Sequence, residues 1–484
     1  MTSAVLCLMP ILVAMSEVSL AIRNLLRNRR RSLSTILALA IGLTSILLFG
    51  GFKTNIRYSM LTAYVRTGGH LQVQHRDFFT LGSGNPSAYG IRDYQSLLGR
   101  IQNDSVLKPL VSVTTPMLRF SGLAGNFDAG ISRTVVGTGY VAPDINRMRL
   151  WNEFAVPIAH PVFKLEGAEK DAAIIGVGVA KVLQLCVELK VQNCPVPAAP
   201  APGATAIKSL ALPDDIAALA QIDHSLASDQ RPTKGAPRIE LLSSSGRGAP
   251  NVTALSVIAA EDQGFKELDE IAVIIHFAYA QQLVFGRTAP RATAIMVQLN
   301  DSSRQGIAAD RLRAIVNSAE NGQPLVVRDV EELNPFYVQS IQLFDMIFGF
   351  IFVLIGGIVL FTVGNTMNAA VIERTVEIGT LRAIGLRQGG IRRLFTIEGF
   401  ILGCVGSLVG SLCAILVSEV VNRSGLTWLP PGSSERLPLQ LRVAGEFVTI
   451  LSTAVALTVI ATVSALVPAW RAARLNVVEA LRHA

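Results

Sequence analysis

The sequence predicts a membrane α-helical protein with four transmembrane helices and a large α+β periplasmic domain inserted between the first and second of them. Three observations carry that reading. Residues 33–52, 344–367, 395–421 and 447–467 are mostly apolar over the roughly 20 residues that a bilayer-crossing helix requires. Arginine clusters stand at the ends of these runs, at 23–31, at 382–393 and in the tail, and every cluster falls on the same side of a four-span arrangement. Between the first and second runs lies the bulk of the chain, mixed in polarity and rich in turn residues, long enough to bury a core of its own. Composition agrees: 50% of the 484 residues are hydrophobic and 16% charged, with mean hydropathy +0.44. That is too apolar for an ordinary soluble enzyme and too polar for an all-helical bundle.

Residues 1–32 read as a leader followed by a cytoplasmic elbow helix. The apolar run 4–14 has neither a basic leader nor a small-residue cleavage site, so it fits a signal peptide poorly. Leu6 is too bulky before Cys7 for a lipid-attachment site. Translation is expected to start at Met15, a short disordered leader being the alternative. From 17 to 31, Val18, Ile22, Leu25 and Leu26 recur at helical spacing with Arg23, Arg27 and Arg30 on the other faces. Such a helix lies at the inner membrane surface, where Arg27, Arg29, Arg30 and Arg31 would anchor the start of the first span, 33–52.

The exported region, 53–341, begins helically at 53–66, breaks at Gly68-Gly69 and continues as a strand over 70–75. Further strands are expected at 134–136, 252–258, 271–275 and 294–299, and helices at 277–284 and 306–318; this mixture predicts an α+β domain. Residues 194–203, rich in Pro and Ala, and 225–251, rich in Ser, Gly, Pro and charge, read as mobile loops. Of the five cysteines only Cys186 and Cys194 fall in the exported region. A disulfide between them suits the compartment, although spacing alone does not establish its geometry. His70 and His75, five apart on a strand, point to opposite faces, which argues against a shared metal; no metal site is expected.

The helical pattern beyond Pro335 meets no breaker between Tyr337 and Gly349, so one helix should run from the exported domain into the second span, 342–367. In the following cytoplasmic loop, 368–394, Glu373 and Glu377 sit four apart on one face of an expected helix, 369–384. Like charges so placed cost roughly a few tenths of a kcal/mol, which a basic groove on a partner would relieve. Ile378, Leu381 and Ile384 supply an apolar stripe, while Gly379 and Gly385 let another backbone approach or end the helix. Glu398, nearly submerged at the start of the third span, 395–421, must find a cation; Arg392, Arg393 or a partner chain would supply it. A short outer loop, 422–446, leads to the fourth span, 447–467, and a basic tail, 468–484, anchored by Arg471 and Arg474. By the positive-inside rule both termini are cytoplasmic and the large domain lies outside.

No catalytic constellation emerges. The chain lacks Gly-x-x-x-x-Gly-Lys-Ser/Thr and therefore a P-loop, and it also lacks His-Glu-x-x-His and Gly-x-Ser-x-Gly. The net charge of +8 is placed at membrane ends rather than on a nucleic-acid-binding face, so nucleic acid is not an expected partner.

Four segments carry a family resemblance. They are Arg23-Asn-Leu-Leu-Arg-Asn-Arg-Arg-Arg-Ser32, Glu373-Arg-Thr-Val-Glu-Ile-Gly-Thr-Leu-Arg-Ala-Ile-Gly385, Arg392-Arg-Leu-Phe-Thr-Ile-Glu-Gly399, and Pro468-Ala-Trp-Arg-Ala-Ala-Arg-Leu-Asn-Val-Val-Glu-Ala-Leu-Arg482. Together they resemble the permeases of the MacB, LolC/LolE and FtsX superfamily, the membrane halves of type VII ABC systems. The resemblance covers all the membrane parts and reaches the exported domain only loosely, chiefly at Gly69-His-Leu-Gln-Val73. It implies a permease of the bacterial inner membrane with a MacB-like exported domain and no nucleotide site of its own, ATP and Mg being bound by a partner ABC ATPase. It further implies a dimer with a second copy or a homologous permease, contact with membrane lipids, and a periplasmic lipoprotein or adaptor as a further partner. The ATPase would grip Glu373, Arg374, Glu377, Ile378, Gly379, Leu381, Arg382 and Gly385. Lipoprotein release in the manner of LolC/LolE, or export of another envelope substrate, is the expected activity. An FtsX-like signalling permease that controls a periplasmic partner and a non-ABC membrane receptor are the alternatives.

Overall fold

A computed structural model describes residues 18–82, 84–127, 129–157, 162–191, 194, 236–244, 250–264, 266–318, 322–429 and 436–475. The chain divides into two compact units, Met1–Met60 with Phe336–Trp428 and Pro438–Ala484, and Leu61–Pro335 with Leu429–Leu437. The expected leader and the last nine residues of the tail lie outside the described residues.

The chain enters as helix α1, residues 18–27. Val18, Ile22 and Leu26, at steps of four, stay exposed along it, the disposition of a helix that beds an apolar face at a membrane surface. Helix α2 (Arg29–Gly68) follows after one turn residue and runs far beyond the apolar stretch. It ends because Gly69 takes φ +77, and a Cβ there would meet the Val297 carbonyl oxygen at 2.8 Å; only glycine fits both constraints.

In the second unit the elements are β1 (Leu71–His75), α3 (Tyr94–Gln102), β2 (Val111–Asn126), β3 (Ile131–Tyr140), α4 (Ala142–Arg149), β4 (Ala172–Gly176), α5 (Val177–Val182), β5 (Arg238–Ser244), β6 (Pro250–Glu261), β7 (Ala272–His276), α6 (Phe277–Phe285), β8 (Ala294–Leu299), α7 (Gln305–Asn317) and β9 (Leu325–Asp329). Among the described residues the nine strands form one sheet in the order β3-β7-β4-β6-β5-β2-β8-β1-β9, with β2 also paired to β3. The long β2 makes this possible. Its first half pairs antiparallel with β8, and its second half pairs with β3 and, over Gly122–Gly125, with β5. The onward pairings β3–β7, β7–β4, β4–β6 and β6–β5 return to β2 and close a ring.

Side-chain alternation along these strands fills two cores. Ile174 joins Val113, Met117, Met148, Phe163 and Met296, while its neighbours Ala173 and Ile175 face the other way toward Phe120, Val257, Leu283 and Val297. Phe120 leaves no room on β3: a Cβ on Gly137 would lie 2.1 Å from its ring.

The α+β class expected from the sequence holds, with the strands foreseen at 134–136, 252–258, 271–275 and 294–299 falling on β3, β6, β7 and β8 and the two helices on α6 and α7. The loop expected over 225–251 is corrected. Residues 238–244 are strand β5 and residues 250–251 open β6, whereas 225–235, 245–249 and 195–203 lie outside the described residues. Ile239, Leu241 and Ser243 turn inward between exposed Arg238, Glu240 and Leu242, so a period-two signal was present within a polar composition. Cys186 and Cys194 are joined by a disulfide with their Cα atoms 6.2 Å apart.

The chain continues as α8 (Pro335–Glu373), α9 (Thr375–Ala383), α10 (Gln388–Arg423) and α11 (Phe447–Ala473). α11 does not stop at Pro468 but passes through it to Ala473. α2, α8, α10 and α11 are each long and apolar enough to cross a membrane. In lipid, helices associate where small residues let backbones approach, and α10 carries them along one stripe, at steps of four, three and four. A Cβ on Gly399 would sit 2.5 Å from Ala465 Cβ and one on Gly403 3.0 Å from Thr458 Cα, both on α11. Further along the same stripe, Gly406 lies against Leu39 and Gly410 against Ala40 and Leu43 of α2. Hydroxyls add cross-links: Thr44 donates to the Gly410 carbonyl at 3.0 Å, Thr35 and Thr366 meet at 2.9 Å, and Ser464 donates to the Leu360 carbonyl.

Candidate functional site

The strongest sequence signal falls on the segment between α8 and α10, and the structure changes its internal logic. A single helix over 369–384 was the expectation. Instead the chain breaks at Arg374, which caps α9 with φ −104 and ψ 19, and the break turns the Arg374 side chain inward. Its Nη1 donates to Glu398 Oε1 at 3.0 Å and its Nη2 to the Asn24 carbonyl at 3.0 Å, while Asn24 Nδ2 donates to the same Glu398 oxygen at 2.8 Å. The side chains of Arg374 and Glu398 are 7% and 2% exposed. Three elements, α1, the α8–α9 joint and the start of α10, are thereby tied at one buried ion pair.

Glu398 therefore pairs with neither Arg392 nor Arg393. Those residues lie six and five positions back, off the face of α10 that Glu398 occupies, because helix neighbours on one face are three or four apart. Arg392 instead sits over the Trp470 ring, 5.8 Å from its centroid, as does Arg474 at 5.9 Å. Arg471 Nη1 reaches Asn368 Oδ1 at 3.5 Å.

The two glutamates are also satisfied from within the chain, so the basic groove expected on a partner is not needed to neutralise them. Arg31 donates from Nη1 and Nη2 to both oxygens of Glu373, at 2.9 and 2.5 Å, and Arg27 Nη2 donates to Glu377 Oε1 at 2.5 Å. Two arginines four apart thus meet two glutamates four apart. Exposed pairs of this kind contribute about 0–1 kcal/mol each, so their effect is register between α1–α2 and the α8–α9 joint rather than bulk stability. Of the remaining basic residues assigned to membrane anchoring, Arg29 and Arg30 are exposed, and Arg29 Nε donates to the Leu26 carbonyl at 3.2 Å.

The apolar stripe is rotated from the expected one. Ile378 is buried beside Ile391, Phe395 and Ala469, Leu381 is half-buried, and of the three only Ile384 is outside, 80% exposed. The outward face runs through Ile372, Val376 and Ile384, with Ile372 68% exposed. Gly379 is buried within α9. Gly385 ends that helix at φ +108, where its N–H reaches the Arg382 carbonyl at 3.1 Å and the Leu386 N–H reaches the Leu381 carbonyl at 3.0 Å. The Arg382 side chain donates to the Leu475 carbonyl, fixing α9 to the residues that follow α11. Asn24, Ile372 and Val376 were not singled out from the sequence; for the last two, their spacing of four was the available signal.

His70 and His75, in the second unit, have structural roles. His70 Nδ1 accepts the Leu299 N–H at 3.0 Å and Nε2 faces Ser302 Oγ at 3.1 Å. Burial pushes its pKa down to about 4 against the opposing pull of Asp301, so the ring is neutral and Nε2 carries the proton. His75 Nδ1 accepts the Asp77 N–H at 3.2 Å.

Residues 346–477 match the family described as FtsX-like permease C-terminal. The chain is 25% identical over 244 residues to the lipoprotein-releasing system transmembrane protein LolC of Xylella fastidiosa, covering 48% of this chain and 56% of that protein. It is 36% identical over 128 residues to the macrolide export ATP-binding/permease protein MacB of Psychrobacter cryohalolentis, covering 26% and 17%. It is 32% identical over 162 residues to the ABC transporter permease YtrF of Bacillus subtilis, covering 33% and 36%. The chain thus spans about half the length of LolC and less of the other two. Among solved structures, the periplasmic region of MacB from Actinobacillus actinomycetemcomitans is similar with a TM-score of 0.28 and 10% identity, covering 56% of this chain and 94% of that one. The four apolar helices and the permease match make this a multi-pass membrane protein.

Proposed function

We propose that this chain, whose residues 346–477 form an FtsX-like permease domain, is the permease subunit of an ABC transporter. It couples ATP hydrolysis on a separate ATPase chain to a conformational change of its exported α+β domain. The outer face of the α8–α9 joint carries this reading. Ile372, Val376 and Ile384 stand exposed there, while the charges beside them, Glu373, Arg374 and Glu377, are matched within the chain. An apolar face of this kind suits a protein partner.

ATP and Mg are held by that partner, since this chain has no P-loop. A second permease, identical or homologous, completes the dimer. The one-sided arginines support cytoplasmic termini, a cytoplasmic α9 and a periplasmic α+β domain in the inner membrane. Likeness to LolC favours release of lipoproteins from the membrane, and export of another envelope substrate is the broader form of the same reading.

The test is affinity purification of the full chain in mild detergent, followed by hydrolysis measurements on what is recovered. An ABC ATPase should accompany the wild type, and Ile384→Asp should remove it while membrane expression is unchanged. An ATPase retained and fully stimulated in Ile384→Asp would take this face out of the mechanism.

A further inference from the structure

At the end of the spans opposite the elbow, α2, α8 and α11 leave between them a cleft of about 350 Å³. Its polar wall is built by α2, which contributes Lys53, Arg57 and Tyr58, and by Glu446 at the start of α11. Phe348 of α8 supplies an apolar wall. Phe52 packs against Phe344 and Trp428 at 6.1 and 5.5 Å between centroids nearby; such aromatic clusters mark the level where helices leave the hydrocarbon.

The cations in the cleft are unequally committed. Lys53 Nζ pairs with Asp345 at 2.6 Å and lies 4.8 Å from the Phe348 centroid. Arg57, one turn further on the same face of α2, is exposed and makes no side-chain hydrogen bond or ion pair among the described residues. Glu446 is half-buried and accepts the Tyr58 hydroxyl at 3.3 Å.

We propose that this cleft binds the headgroup of a zwitterionic glycerophospholipid, with Arg57 and Lys53 on the phosphate and Glu446 on the ammonium. A guanidinium without a partner is the group best shaped to take a phosphate in bidentate fashion. The Glu446 carboxylate on the same lining repels a second anionic group and selects a headgroup that brings its own cation. A lipid rather than a free phosphoester is specified by the position of the cleft, at the rim of four apolar helices and walled by Phe348. The acyl chains then run over the exposed apolar faces of α8 and α11, past Phe350 and Val455. The inference stands apart from the transport reading, since a receptor with the same spans would carry the same site.

Native mass spectrometry of the full chain, titrated with dioleoyl phosphatidylethanolamine, dioleoyl phosphatidylglycerol or inorganic phosphate, reads the site directly. Wild type should bind the ethanolamine lipid in preference to the glycerol lipid, and inorganic phosphate should not displace it. Arg57→Gln should weaken that binding about tenfold, Lys53→Gln should act in the same direction, and Glu446→Gln should abolish the preference between the two lipids. Arg423→Gln, which alters another exposed arginine at the same end of the spans, should change nothing. Equal binding by Arg57→Gln and wild type, or an equal loss in Arg423→Gln, would overturn the site. Displacement by inorganic phosphate would reassign it to a soluble anion, and a wild-type preference for the glycerol lipid would refute the part given to Glu446.

Discussion

Arg374 and Glu398 face each other at 3.0 Å in an almost fully buried ion pair that Asn24 completes from a third element. Removing one member of such a pair strands the other charge away from water, which costs about 3–5 kcal/mol. Glu398→Ala and Arg374→Ala should each lower thermal stability in detergent by that order. The apolar double variant Arg374→Met with Glu398→Leu should recover more than half of the loss. Single variants as stable as the wild type would show that the knot contributes nothing to holding the three elements together.

The outer pairs predict a different pattern. Reversing Glu373 and Glu377 to Lys sets like charges against Arg31 and Arg27 but, at exposed positions, should cost no more than about 1 kcal/mol per pair. On the proposed reading, stimulation of a partner ATPase should nevertheless be lost, because the joint is no longer held in register with α1–α2. Adding Arg31→Glu and Arg27→Glu should restore it. Failure of the fourfold variant to recover, with both forms folded in the membrane, would mean that the glutamates act on something other than these arginines.

In the second unit, His70 makes stability depend on pH. The folded ring titrates near 4 and the unfolded one near 6.5, so the neutral ring favours folding above about pH 6.5. As pH falls from there toward 4 the unfolded chain takes up a proton that the folded one refuses; stability should drop by about 3 kcal/mol in all and then level off. Chemical denaturation across that range should show the slope for wild type and lose most of it in His70→Asn, whose amide oxygen can still accept the Leu299 N–H.

The glycine seam of α10 predicts intolerance to small additions. Gly410→Val would force a side chain into Ala40 and Leu43 and break the approach that lets Thr44 reach the Gly410 carbonyl. A loss of about 1–3 kcal/mol is expected from overpacking, read as a lower melting temperature in detergent, whereas Gly445→Ala, with open space around it, should be neutral.

What the sequence disclosed depended on how local the signal was. The spans, α6, α7 and strands β6 to β8 follow from periodicities that a short window contains. β2 was hidden because Pro116, Gly122 and Gly125 interrupt it, and such residues ordinarily argue against a central strand; pairing with β8, β3 and β5 overrides them. At the candidate site the residue types were legible but their partners were not. Arg31 and Glu373 are separated by 342 positions, and nothing in the neighbourhood of either names the other. The matched spacing of 27 and 31 against 373 and 377 was a usable clue, visible only once both segments were placed on one side of the membrane. Glu398 drew attention to its nearest arginines in sequence, whereas the bend at Arg374 brought a more distant one into the core.

The closed ring of strands has a mechanical consequence. Because β2 is shared by β8, β3 and β5, shifting it by one residue would break three ladders at once and exchange the contents of the two cores, since every side chain would change face. A ring wired in this way resists shear and yields as a whole. Pulling at the ends of the unit loads β1 and β9 first, which lie outside the ring and set Leu71 opposite Asp329; under single-molecule force that pair should unzip at low load, and the ring should then rupture in one sharp event.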